Sequence, residues 1–184
     1  MKRIVVGITG ASGSIYGIRL LEVLRELKLE CHLVVSRTGL EVIKYETGYD
    51  ASALKQLAAW HDIGDLFAPI ASGSFRSDGM IIAPCSMHSL GAIAQGITGN
   101  LMTRAADVML KENRPLILVT RETPLNKIHL ANMAKVMDAG ARLVPASPGF
   151  YHKPTSLQEI VDFVVGKAMD SLGLEHNLFR RWGE

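Results

Sequence analysis

The sequence is poor in cysteine, in net charge and in long apolar runs. Its two cysteines among 184 residues, Cys31 and Cys85, lie in apolar segments, so we expect a reducing compartment rather than a disulfide scaffold. Twenty Lys and Arg against 18 Asp and Glu leave a formal charge of +2, and the scattered charges give no reason to expect nucleic acid as a partner. No apolar run reaches about 18 residues, so no membrane partner is expected.

Several functional signatures are also missing. The sequence opens on a strand-like segment, so no signal peptide is expected and the predicted location is the cytoplasm. Cys85 and His88 are three residues apart, but two ligands do not make a metal site, and we predict none. Neither a P-loop nor a G-x-S-x-G elbow is present. The length predicts one domain over residues 1–184, with a tail at 175–184 that we expect at a subunit interface.

What the sequence does contain is a glycine-rich turn, Gly7 to Ser14, between two apolar segments. Arg3 to Val6 is typical of a buried parallel strand. Ile15 to Leu24 has apolar residues at helical spacing, which predicts an amphipathic helix. A strand, a glycine turn and a helix place backbone N–H groups and a positive helix end together, so the turn suits a phosphate or another anion.

The turn differs from the dinucleotide fingerprint. Its glycines fall at 7, 10 and 13, and the second predicted strand, Cys31 to Val35, ends in Ser36 rather than in a carboxylate. Without a carboxylate to hold a ribose hydroxyl, NAD is disfavoured. The hydroxyls of Ser12 and Ser36 suit a mononucleotide or a flavin better.

Strands alternate with helices along the chain, which predicts an open parallel α/β sheet of the Rossmann or flavodoxin-like class with helices on both faces. Residues 52–60 are predicted as a short helix and residues 61–78 as irregular. Ligands bind beyond the carboxyl ends of the strands in such sheets. The residues predicted at those ends are Thr9 to Gly13, Ser36, Pro84 to Ser89, Arg121 with Glu122, and Pro145 to Tyr151.

The cations add to this prediction. Arg104 and Lys111 are seven residues apart on one predicted helix and therefore share a face. Arg121 follows a predicted strand, so its charge is expected to point into the ligand crevice beyond the carboxyl ends of the strands. Cys85 is interpreted as a small buried side chain rather than as a nucleophile.

Five segments are distinctive together: GITGASGSIYG (7–17), SGS (72–74), PCSMHSL (84–90), NLMTRAADVMLKENRPLILVTRETPL (100–125) and PGFYHKP (148–154). They resemble the UbiX-type flavin prenyltransferases over nearly the whole chain, and Arg181-Trp182 fits as well. The resemblance implies transfer of a dimethylallyl group from dimethylallyl monophosphate to N5 and C6 of reduced FMN. It also implies a UbiD-type decarboxylase as recipient of the prenylated FMN, no metal, and a homo-oligomer, a dodecamer in the family.

The resemblance assigns roles by position. The residues expected to bind FMN are Gly10, Ala11, Ser12, Ser36, Ser86, Met87, His88, Ser89, Arg104 and Arg121. The residues expected to bind the prenyl phosphate are Lys111, Arg121, Glu122, Tyr151 and Lys167. The expected catalytic residues are Ser12, Glu46, Lys111 and Glu122. Three positions depart from the family pattern: His88 stands where many members have lysine or threonine, Ala131 replaces a common glutamate, and Lys167 is arginine in some relatives.

Fixed cations suit this chemistry, because breaking an allylic C–O bond leaves a phosphate whose growing charge needs preorganised partners. Two alternatives stay open. One is a flavin-dependent decarboxylase of the same fold class, although PCSMHSL replaces the P-x-M-N-x-x-M-W signature of such enzymes. The other is a non-catalytic flavin-binding subunit of a decarboxylase.

Overall fold

The structure is a computed structural model that describes residues 2–183. Its strands are β1 Arg3–Ile8, β2 Glu30–Val35, β3 Ala59–His61, β4 Gly79–Cys85, β5 Leu116–Thr120 and β6 Arg142–Leu143. Its helices are α1 Ser14–Glu26, α2 Arg37–Thr47, α3 Ala51–Lys55, α4 Met87–Ala94, α5 Leu101–Lys111, α6 Lys127–Asp138 and α7 Leu157–Leu172. The end residues of the predicted domain and tail, Met1 and Glu184, lie outside the described residues.

The strands form one parallel sheet in the order β3-β2-β1-β4-β5-β6. The order reverses between β1 and β4, which is where doubly wound sheets open a ligand crevice at their carboxyl edge. The predicted α/β fold class is therefore confirmed. Within residues 2–183, none of the helices combines the length and hydropathy that crossing a bilayer requires.

Two apolar layers cover the sheet, because successive side chains of a strand point to opposite faces. Ile4, Val6 and Ile8 of β1 pack with α1 and α7 on one face, whereas Val5 packs with α4 and α5 on the other. The sheet therefore separates α7 from α5.

The glycine-rich turn folds as the sequence predicts. Gly13 has a φ of 96°, a left-handed conformation that glycine adopts without the strain of a Cβ. Gly17 lies so close to β4 that a Cβ there would stand 2.3 Å from the Ala83 carbonyl oxygen. The lack of a side chain at Gly17 thus lets α1 pack tightly over the strand beside β1.

The prediction for residues 52–60 is wrong in its second half. The helix covers only Ala51–Lys55, and Ala59–His61 forms the edge strand β3, paired with β2. His61 Nε2 lies 2.8 Å from Nδ1 of His32 on β2. The segment Ala59–His61 is too short for its own sequence pattern to predict a strand, and its pairing with β2 decides its structure.

Candidate active site

The carboxyl ends of the central strands are joined by hydrogen bonds into one crevice. We define this crevice by the residues that follow β1, β2, β4 and β5. Ser36 N–H donates to the Ile8 carbonyl at 3.0 Å, and Ser86 N–H donates to Thr9 Oγ1 at 2.8 Å. Arg121 N–H donates to the Cys85 carbonyl at 3.4 Å. The structure thus brings together the turn, Ser36, the Ser86 segment and Arg121, as the sequence predicts.

The N-terminus of α1 is occupied by a side chain of the protein itself. The Glu46 carboxylate accepts from the backbone N–H groups of Gly13 and Ser14 at 3.0 and 2.9 Å, and from Ser14 Oγ at 2.7 Å. The turn that was predicted to suit a phosphate or another anion thus binds an internal carboxylate in this structure.

Glu46 is held in its ionised form by these contacts. Partial desolvation would raise its pKa, but hydrogen bonds from Ser12, Ser14 and the backbone amides outweigh desolvation and lower the pKa below its ordinary value. Ser12 itself is exposed at the mouth of the crevice.

Ser36 and Ser86 begin the helices that follow β2 and β4. Ser36 Oγ accepts from Gly39 N–H at 3.0 Å, and Ser86 Oγ accepts from Ser89 N–H at 3.3 Å. Both serines are N-caps, a role that the sequence analysis did not assign. Because β2, β1 and β4 are neighbours, the positive N-terminal ends of α2, α1 and α4 lie along the same edge.

Arg121 supplies the cation of the crevice. Its Nε is buried and has no hydrogen-bond partner within residues 2–183. Its Cγ lies 4.0 Å from the place that a Cβ on Gly13 would take. Burial raises the pKa of the neighbouring Tyr16, and the charge of Arg121 acts against that rise. A buried donor without a partner is costly, so Arg121 fits an acceptor supplied by a ligand.

Cys85 lies at the end of β4 but faces the core. Its side chain is fully buried and burial raises the pKa of its thiol to about 12, so the thiolate is scarce at neutral pH. The interpretation of Cys85 as a buried side chain is confirmed. His88 and Met87 instead line a surface cavity of about 590 Å³ beside Asn100 and Ile128.

A second group of candidates lies elsewhere, in what we call the basic pocket. This cavity of about 780 Å³ is lined by Ala71 to Ser74 and by Arg76, Arg104, Lys111, Glu112 and Arg114. The prediction that Arg104 and Lys111 share one helix face is confirmed. Lys111 pairs with Glu112, whose pKa this hydrogen bond and charge lower.

The basic pocket lies toward the amino edge of the sheet. Arg76 precedes β4 by a few residues, Arg114 precedes β5, and the Arg76 carbonyl accepts from Arg3 at the start of β1 at 2.8 Å. Arg114 ties the pocket together by donating to the carbonyls of Gly73 and Phe75 at 2.6 and 2.8 Å.

The remaining candidates, Tyr151 and Lys167, belong to the other face of the sheet. Lys167 lies on α7 and lines a cavity of about 380 Å³ with Val144 and Phe163. Tyr151 packs edge-on against Phe163, with ring centroids 5.7 Å apart, and also against Trp182 in the tail.

One chain therefore does not bring the expected phosphate residues together. Arg121 lies in the crevice, Lys111 in the basic pocket, and Lys167 on the opposite face from Lys111. Glu122 is exposed and accepts from Thr123 N–H at 3.0 Å, whereas the carboxylate beside Lys111 is Glu112. The sequence analysis did not assign Glu112, although its adjacency to Lys111 was a visible signal.

Metal ligands do not cluster in the part of the chain that the structure describes. No group of three or more His, Cys, Asp or Glu side chains there could hold a metal ion.

A sheet of this order, with a donor-lined crevice at its carboxyl edge, defines a nucleotide- or flavin-binding α/β protein. The family model described as Flavoprotein matches residues 1–169. Flavin prenyltransferase UbiX of Halalkalibacterium halodurans is 50% identical over 190 residues, which cover 97% of this chain and 92% of that protein. The chain belongs to the UbiX-type flavin prenyltransferases of the Flavoprotein family.

Solved structures are similar over the same length. AnUbiX (PadA1) in complex with FMN and dimethylallyl pyrophosphate is 49% identical, covers 100% of this chain and 98% of its own, and superposes with a TM-score of 0.97. A dodecameric FMN-dependent UbiX-like decarboxylase from Escherichia coli O157:H7 is 46% identical, covers 99% of this chain and 100% of its own, and gives a TM-score of 0.96.

Proposed function

We propose that the protein transfers a dimethylallyl group from dimethylallyl monophosphate to N5 and C6 of reduced FMN. The observation that carries the proposal is the donor-lined crevice, with the unpartnered Nε of Arg121, in a chain that is 50% identical to a flavin prenyltransferase. When bound, reduced flavin supplies the two nucleophilic positions, and the protein supplies binding, orientation and charge.

The crevice fits FMN by its chemistry. The N-terminal ends of α2 and α4, capped by Ser36 and Ser86, offer backbone donors to an anion. Arg121 offers the unpartnered Nε. Gly10 lets the first turn pack closely against the Thr38 side chain of α2. Met87, His88, Ser89 and Ala11 complete the residues that we assign to the flavin.

The departing phosphate requires cations that are fixed before the C–O bond breaks, because charge grows on the phosphate oxygens as it does so. Lys111, Arg121 and Lys167 are the cations that we assign to it, and Tyr151 adds a hydroxyl donor. Arg104 was expected to bind FMN, but it lines the basic pocket with Lys111, so we assign it to the phosphate instead. We assign Glu122 and Glu46 to orienting charges and to proton handling, and Ser12 to the flavin near its reacting edge.

These residues can act together only if the site forms between subunits, because one chain places Lys111 and Lys167 on opposite faces of the sheet. We therefore propose a homo-oligomer, a dodecamer like the E. coli relative, with residues 175–184 at an interface. The exposed side chains of Phe67, Ile128 and Leu157 supply apolar surface for such contacts.

The product is proposed to serve a UbiD-type decarboxylase in the cytoplasm. The alternatives from the sequence analysis are a flavin-dependent decarboxylase and a non-catalytic flavin-binding subunit. The basic pocket favours the transferase over both, because Arg76, Arg104, Lys111 and Arg114 outnumber the paired carboxylates Asp107 and Glu112 there, and a departing phosphate needs such charge in addition to the flavin site.

A single assay separates these functions. Purified protein is incubated without oxygen with reduced FMN and dimethylallyl monophosphate, and mass spectra of the released flavin are recorded. We expect the flavin to gain one dimethylallyl group. A parallel reaction with dimethylallyl pyrophosphate, the ligand named for AnUbiX, tests the choice of donor. Unmodified flavin with both donors would contradict the proposed function.

A further inference from the structure

Asp170, near the end of α7, lies at the centre of a group of basic side chains. Its Oδ1 accepts from Arg181 at 2.8 Å and lies 3.1 Å from His176 Nε2. Its Oδ2 accepts from Arg181 at 3.2 Å and lies 3.8 Å from Lys167 Nζ. Arg181 therefore binds the carboxylate through two nitrogens, which is the strongest geometry for such a pair.

The tail that Arg181 fixes leads directly to Tyr151. Trp182 follows Arg181, and its ring meets the Tyr151 ring edge-on, with centroids 5.5 Å apart and planes at 88°. His176 anchors the same segment, because its side chain is almost fully buried and contacts the Phe179 ring at 5.4 Å. The Tyr151 ring is thus held by the docked tail as well as by Phe163.

We propose that Asp170 is a positioning residue for the donor phosphate, acting on Lys167 by its charge and on Tyr151 through Arg181 and Trp182. This inference rests on the proposed function, which assigns Lys167 and Tyr151 to that phosphate. Among residues 2–183, Asp170 is the one carboxylate that pairs both with Lys167 and with Arg181 of the tail.

The two ion pairs differ in a way that suits this role. The bonds from Arg181, at 2.8 and 3.2 Å, keep the tail docked. The contact with Lys167, at 3.8 Å, is loose, so the ammonium group can turn to a phosphate without breaking the tail contact. Tyr151 packs against Phe163, which lines the same cavity as Lys167, so a docked tail keeps Tyr151 next to the cavity in which Lys167 would bind the phosphate.

Asp162 provides a matched control on the same helix. Its carboxylate also accepts from an arginine, Arg19 Nε, at 2.7 Å. That arginine belongs to α1 and pairs further with Glu22 and Glu26, so it borders the cavity beside the tail without holding the tail by an ion pair with Asp162. Asp162→Asn and Asp170→Asn therefore remove the same kind of charge pair from α7 at two places.

The first measurement is steady-state kinetics. We expect Asp170→Asn to raise the KM for dimethylallyl monophosphate about tenfold, which is the effect of one lost charge-assisted contact, with FMN affinity unchanged. Asp162→Asn should change the melting temperature but not this KM. Arg181→Gln, which leaves the Asp170 carboxylate in place, should reproduce the KM effect and stands in if Asp170→Asn does not fold.

The second measurement does not need turnover. In a Trp60→Phe background Trp182 is the remaining tryptophan, so its emission reports on the tail. We expect Asp170→Asn and Arg181→Gln to shift this emission and to weaken inorganic phosphate binding about tenfold, whereas Asp162→Asn does neither. Emission and phosphate binding test the inference without turnover. If the wild-type protein modified no flavin, that result would refute the proposed function but not the inference.

Two outcomes would overturn the inference. If Asp170→Asn bound phosphate more tightly than the wild type, the carboxylate would merely compete with the ligand for Lys167. If Asp170→Asn and Asp162→Asn changed KM and emission equally, Asp170 would be only a structural residue.

Discussion

The crevice and the basic pocket lie at opposite edges of one sheet and use different means to attract an anion. The crevice relies on helix N-termini, hydroxyl groups and the buried cation Arg121. The basic pocket relies on Arg76, Arg104, Lys111 and Arg114, and it has little apolar surface.

The difference indicates a division of labour. Dipoles and hydroxyls suit a large ligand that also needs apolar contact, whereas clustered cations suit a small, highly charged group. The two regions lie at opposite ends of the strands in one chain, so the proposed function requires that a flavin in the crevice and a phosphate at Lys111 meet across a contact between copies.

The largest effect is expected from the basic pocket. Lys111→Ala removes a preorganised charge that acts on the departing phosphate, so turnover at saturating donor should fall about 10²–10³-fold, or roughly 3–4 kcal/mol. FMN affinity should stay near the wild-type value, because the flavin residues lie in the crevice. Rate and FMN dissociation constant are measured for each variant.

Lys135→Ala is the matched control for Lys111→Ala, since Lys135 is also an exposed lysine in the last turn of a helix. It should leave both constants unchanged. If Lys111→Ala turned over normally and lost only FMN affinity, the assignment of Lys111 to the phosphate would be wrong.

The separation of the two regions can be tested directly by mixing subunits. Arg121→Ala, in the crevice, and Lys111→Ala should each retain about 1% of the wild-type turnover or less when alone. If each site takes these residues from two copies, oligomers assembled from both variants together should recover about a quarter of the wild-type activity.

The control for assembly is a chain that carries both Arg121→Ala and Lys111→Ala. This double variant is assembled into oligomers together with wild-type chains. If the two single variants recovered no activity when mixed, while this control assembled and turned over, the site would lie within one chain.

A smaller effect is expected at the mouth of the crevice. Ser12→Ala removes a hydroxyl that bonds to Glu46 and faces the proposed flavin, so FMN binding should weaken about fivefold, in line with about 1 kcal/mol for one hydrogen bond. Ser52→Ala, in α3 outside the crevice, is the control. Equal or tighter binding of NAD than of FMN by calorimetry would contradict a flavin site here.

The smallest effect concerns stability. Glu46→Gln removes a carboxylate from the N-terminus of α1, which should lower the free energy of unfolding at pH 7 by about 0.5 kcal/mol. The pKa of Glu46 lies below its ordinary value of 4.5, so its contribution is present above that pH and is lost as the pH falls through the lowered pKa. The free energies of unfolding of the wild type and Glu46→Gln, measured with urea from pH 7 downward, should converge at low pH.

The crevice was largely predictable from the sequence, because its parts are local. The glycines of the first turn, the serine after β2 and the arginine after β5 each follow an apolar strand, and parallel strands end at one edge. Ser36 and Ser86 each stand between a strand and a helix, so their capping roles were also predictable. The sequence analysis assigns these serines only to ligand binding.

The basic pocket was harder to place. Arg104 and Lys111 were correctly put on one helix face, but a helix that connects parallel strands returns its C-terminal end to the amino edge, so Lys111 lies away from the crevice. The contacts of Asp170 with Arg181 and of β3 with β2 join distant or short segments, which no local pattern encodes.

The carboxylate of Glu46 also has a consequence for where an anionic group of a ligand binds. It places a negative charge at the N-terminus of α1, between the positive N-terminal ends of α2 and α4 and beside Arg121. An anionic group of a ligand is therefore disfavoured at α1 itself and favoured on either side of it. The internal carboxylate thus divides the positive edge of the crevice into separate positions for an anion.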